Sequence, residues 1–121
     1  MTPTPDVPAK PVASGTPVPE PTVRVTAYSV SCVPEDNINA PHFTAKVEYR
    51  GRGGWAVTDG FHVYAADGSR AHEHIPTERT DEFLARFRHS ELEAVSLAKR
   101  VAPTLRVNGY TVADVLARAD R

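Results

Sequence analysis

Cysteine is nearly absent. Cys32 is the single one in 121 residues, so no disulfide can form within the chain, which agrees with a reducing compartment. Long apolar runs are absent too. No stretch approaches membrane-spanning length, and the N-terminal segment has neither the basic start nor the apolar run of a secretion signal. The expected location is the cytoplasm, in solution, with no membrane partner. A surplus of charge is the third absence. Setting aside the first 21 residues removes Lys10 from 14 basic residues, and Asp6 and Glu20 from 15 acidic ones, leaving 13 of each. A dedicated nucleic-acid binder normally carries a basic surplus that displaces counterions from phosphates, and a DNA mimic carries the opposite; the balance argues against both. Catalytic signatures are missing as well. There is no phosphate loop, dinucleotide fingerprint or G-x-S-x-G elbow. Cys32 reads as a buried structural thiol with no histidine partner in sight. A chain this short leaves little room for both a core and an enclosed pocket, so an enzyme is not expected.

Proline is plentiful in one place. Seven of the 11 prolines lie in the first 21 residues, before the first aromatic, Tyr28. Such a stretch cannot bury enough apolar surface to offset its ordering entropy, and proline favours extended segments. The expectation is a disordered Pro-rich tail over residues 1–21 and a single α+β domain over 22–121.

The first half of that domain has strand periodicity. Val23 and Val25, then Tyr28, Val30 and Cys32, alternate with polar residues, and the phase change near Ala27 suggests a bulge. Phe43, Ala45, Val47 and Tyr49 alternate with His42, Thr44, Lys46, Glu48 and Arg50, which implies one buried face. Gly51 to Gly54 is a turn by composition. Trp55 to Val57 and Phe61 to Tyr64 follow, with a bend at Asp59–Gly60. A turn at Asp67–Gly68 leads into a short strand from Arg70 to Ile75. These connections suit an antiparallel meander of three to four strands.

The second half has helical periodicity. Thr77 is placed to cap a helix running to about Phe87, and Ser90 with Glu93 spells a capping box for a second. That second helix carries Leu92, Val95, Ala98 and Ala102 and stops at Pro103. A third starts at Thr111. Acids early and bases late suit the helix dipole in all three. Thr104 to Val107 is β-like and either returns to the sheet edge or forms the turn into the last helix. Strands followed by helices predict an α+β domain, with two to three helices packed on one face of the sheet. Its expected core is Phe43, Val47, Trp55, Val57, Phe61, Val63, Phe83, Leu84, Leu92, Val95 and Leu116.

Two constellations could carry chemistry. His72 and His74 sit two apart and share a face on a strand; with His62, and His42 on the polar side of its own strand, they could converge on a metal, since imidazole nitrogens suit zinc, iron or nickel. The H-x-H-x-x-x-E order of His72, His74 and Glu78 looks like the first cupin motif. The glycine spacing differs, however, no second motif follows, and the chain continues as helix. Arg50, Arg52 and Trp55 flank the glycine-rich turn and form the candidate binding site for single-stranded nucleic acid. The run from Arg52 to Val57 looks like the start of an RNP1 motif, but Gly54, Ala56 and Asp59 stand where stacking aromatics belong.

Four segments together, Trp55 to Val57, Val63 to Gly68, Pro76 to Leu84 and Ala102 to Val112, resemble small uncharacterised proteins of actinobacteria and their phages. The resemblance covers roughly Gly54 to Ala117 and leaves out the strand from Thr22 to Val33. It implies an intracellular accessory role, in the host cytoplasm if phage-encoded, and transfers no catalytic residue. The leading expectation is a non-enzymatic protein-interaction module without a cofactor, using the polar sheet face or an edge strand for a protein partner. The alternatives are a nucleic-acid-binding protein using Arg50, Arg52 and Trp55, and a small metalloprotein, with zinc the candidate metal, using His72 and His74.

Overall fold

The computed structural model describes residues 17–73 and 76–119. Most of the proposed tail, along with His74 and Ile75, therefore lies outside the described residues. The class is α+β, as the sequence predicts. Strands β1 (Ala27–Ser31), β2 (Thr44–Tyr49), β3 (Trp55–Thr58), β4 (His62–Tyr64) and β5 (Arg70–His72) form one antiparallel sheet in chain order. It has five strands rather than three to four, because the short β4 and β5 pair into a hairpin of their own. Helices α1 (Asp81–Phe87), α2 (Glu91–Val101) and α3 (Val112–Ala119) follow. Between α2 and α3, β6 (Arg106–Val107) and β7 (Tyr110–Thr111) make a separate two-stranded ribbon. Its turn, Asn108–Gly109, has φ of 52° and 82°, which asparagine and glycine tolerate and which suits a tight hairpin.

The expected bulge at Ala27 is instead where the sheet begins. β2 ends at Tyr49 and the chain turns away at Gly51, so residues 22–25 have no strand to pair with. Val23 and Val25 remain exposed.

β3 is central and buried along its whole length. Trp55 and Val57 join Ala45, Val47 and Tyr64 in a core closed by Ala94, Leu97, Ala98 and Val101 of α2. On the opposite side Ala56 packs with Val63, Ala65, Phe83 and Phe87. α1 therefore covers the other face of the sheet from α2, whereas the sequence suggested a single covered face. The two phenylalanines one helical turn apart, with ring centroids 4.9 Å apart, supply that second layer.

Ser90 and Glu93 form the predicted capping box. The cap of α1 is Thr80 rather than Thr77. Its hydroxyl accepts the Phe83 N–H, while Pro76–Glu78 is a separate 3-10 turn. Thr111 and Asp114 exchange the equivalent bonds at the start of α3. Three expected core residues are exposed: Phe61 at 78%, Leu92 at 82% and Leu84 at 36%. In α2 the buried positions 94, 97, 98 and 101 define the inward stripe, and Leu92 falls outside it. Leu97, fully buried, is the residue whose removal opens a cavity. Leu97→Ala is expected to lower unfolding free energy in urea titrations by about 2–5 kcal/mol, and Leu92→Ala by less than about 0.5 kcal/mol.

Candidate functional site

Sequence patterns point to two residue clusters and, without locating it, to an edge strand or the polar sheet face. At the glycine-rich turn, Gly51, Arg52 and Gly53 all have positive φ, so the loop turns back tightly on itself. Arg50 donates to the Glu48 carboxylate at 2.9 Å. Trp55 is only 7% exposed and is flanked by Tyr28 and Tyr49, with ring centroids 5.7 and 5.4 Å away. The most exposed ring of this trio is Tyr49, whose hydroxyl accepts the Gly53 N–H. Arg50, Arg52 and Trp55 are thus neighbours in the fold. Of the three, Arg50 is already paired and Trp55 offers no open stacking face.

The histidines divide. His42 lies in a 3-10 turn, Ala40–Phe43, ahead of β2 and not on the strand. His62 and His72 are register partners across β4 and β5, with ring centroids 4.9 Å apart. Asp59 organises this corner. Its carboxylate accepts the Phe61 and His62 N–H groups, each at 2.8 Å, and the Tyr64 hydroxyl at 2.9 Å, and lies 3.3 Å from His62 Nδ1. Burial opposes ionisation of Asp59, but those hydrogen bonds outweigh it and hold its pKa below the ordinary carboxylate value. Among the described residues no three of His, Cys, Asp and Glu group as metal ligands.

The third place is the outer edge of β1 with the sheet face beside it. Tyr49 N–H donates to the Thr26 carbonyl. Antiparallel bonds alternate, so Tyr28 and Val30 face β2 with their backbone groups, and those of Ala27, Ser29 and Ser31 point away from the sheet. Their side chains are exposed on the face that α1 covers only at the β3–β5 end. The uncovered part holds a shallow cleft of about 620 Å³, lined by Ser29, Ser31, Val33, Pro34, Thr44 and Lys46 among others.

Two groups that the sequence did not single out bind the layers together. His89 exchanges both backbone hydrogen bonds with Trp55, at 2.8 and 2.9 Å, and its Nε2 lies 2.9 Å from the Tyr64 carbonyl. A carbonyl only accepts, so Nε2 carries a proton. Glu73 takes Arg79 at 3.2 Å and Arg88 at 2.8 Å. Burial lowers the pKa of Arg88, and the Glu73 carboxylate opposes that shift. Neither residue has a periodic signal; a lone histidine between two helices and a carboxylate after a strand look unremarkable in sequence.

No protein-family model, curated protein or solved structure matches the chain.

The lowered Asp59 pKa fixes the sign of one pH effect. A carboxyl depressed in the folded state adds stability above its unfolded pKa, and this is lost as pH falls through the folded value. Thermal melts from neutral pH to below about pH 4 should therefore show a falling midpoint, with a shallower fall in Asp59→Asn.

Proposed function

We propose that the chain is a non-enzymatic accessory protein, a protein-interaction module that receives a partner's strand on the outer edge of β1. The observation that carries this reading is the composition of that edge. Exposed edge strands in monomeric proteins are commonly guarded by lysine, proline or a bulge. Ala27-Tyr28-Ser29-Val30-Ser31 has none of these, and nothing among the described residues pairs with its outward backbone groups. Main-chain bonds along the edge would supply affinity, and the cleft beside Ser29 and Ser31 would take a side chain of the added strand. The resemblance to small proteins of actinobacteria and their phages agrees with an accessory role in the cytoplasm of such a cell. No described helix is long and apolar enough to cross a membrane.

One observation favours a second reading, a small zinc protein. His62 and His72 stand side by side across two strands, and Asp59 touches Nδ1 of His62. A carboxylate on one imidazole nitrogen is the arrangement that orients the other toward a metal. Calorimetric titration of untagged protein with zinc should then show uptake that His72→Ala abolishes; no heat with the wild-type chain sinks this reading. The nucleic-acid reading has least support, since Trp55 is buried and Arg50 is paired.

The interaction reading is tested by capture from cell lysate with the wild-type chain and with Ser29→Pro, with and without residues 1–21. The Ser29 N–H points outward, so proline there removes an edge donor and no bond to β2. Proteins held by the wild type and lost in Ser29→Pro are the expected outcome; the same set on both chains counts against edge binding.

A further inference from the structure

We infer that the strand received by β1 is, at least in the isolated protein, β1 of a second copy, paired antiparallel about a two-fold axis at Ser29. This rests on the edge-binding reading above and specifies its occupant.

The register follows from the backbone. The outward groups belong to Ala27, Ser29 and Ser31. A two-fold at Ser29 sets Ala27 opposite Ser31 of the second copy and Ser29 opposite itself, so every outward N–H and C=O of the strand finds a partner. A two-fold at Ala27, Tyr28, Val30 or Ser31 leaves some of them unpaired.

Side chains fit the same register. On the face toward α2, half-buried Tyr28 meets half-buried Val30 of the second copy, which gives both more cover. On the open face only small side chains, Ala27, Ser29 and Ser31, come together. Val25 is 60% exposed and runs on beyond the end of β2. The two-fold carries it toward the bend that follows β1 in the second copy, beside the 620 Å³ cleft that Pro34 lines.

Charge agrees. Residues 25–34 carry no ionisable acid or base other than the Cys32 thiol and the Tyr28 hydroxyl. Arg24 and Glu35 bracket the run, so the antiparallel arrangement brings opposite signs together at each end. A parallel pairing would set like against like. The contact is small, below the area of a standard stable interface, so association should be concentration-dependent and of modest affinity.

Sedimentation velocity on the full chain over a wide range of concentration is the test, with hydrogen exchange read at Ala27, Ser29 and Ser31. The wild type is expected to move from monomer to dimer as concentration rises, with those three amides slowing in step. Ser29→Lys and Ser29→Pro should stay monomeric, with far-UV circular dichroism and melting close to wild type. A chain that is monomeric at every concentration overturns the inference. So does a dimer that persists in Ser29→Lys with the three amides still exchanging fast, since its interface then lies elsewhere. If the chain stays monomeric but the β1 amides become protected with a protein captured from lysate, self-pairing falls and edge binding stands. If they are never protected, both fall.

Discussion

The double burial of β3 is the constraint on which the rest of the structure depends. A strand covered on both faces needs two layers, and the chain supplies them from consecutive helices: α1 with Phe83 and Phe87, and α2 with Ala94, Leu97, Ala98 and Val101. The segment between those helices has to pass the end of β3, and His89 does so with its backbone paired to Trp55 in both directions. The β3–β4 register is short, with Thr58 opposite Val63, so Trp55 would otherwise leave main-chain groups unpaired beside a core. His89 fills that gap and fastens β4 through the Tyr64 carbonyl.

The open half of the sheet follows from the same arrangement. α1 is only seven residues long, and its two phenylalanines reach the β3–β5 end. The faces of β1 and β2 on that side keep serine, threonine and lysine, and β1 remains an unguarded edge. The surface proposed for a partner's strand is thus the part of the sheet that a short helix does not cover.

Much of this was legible in the sequence, for identifiable reasons. Strict alternation from Phe43 to Tyr49 marked β2, and the Ser90–Glu93 box marked the start of α2. The W-A-V run of β3 has no alternation, and an unbroken apolar strand signals two buried faces. The order of elements alone points instead to a single covered face, and the run of β3 is the signal that overrides it. Phe61 and Leu92 lie outside the core because apolar identity says nothing about phase: Phe61 sits in the Asp59 turn, and Leu92 lies off the inward stripe of α2. His62 lies opposite His72, whereas His42 stands in a 3-10 turn that begins where alternation suggests a strand. The sequence points to an edge strand without saying which, since strand order, and with it the identity of the edge, is not written in any local pattern.

Sequential strand order has a consequence for how the chain finds its fold. Each strand pairs with the one made just before it, so every ladder closes a short loop, the kind with the smallest entropic penalty. The contacts that span great sequence distance belong to the helices. Tyr28 donates to the Glu91 carboxylate 63 residues away, and α2 lies across β1, β2 and β3 together. Local hairpins suffice to set which strand neighbours which, and α2 ties β1, β2 and β3 together across the long sequence separation.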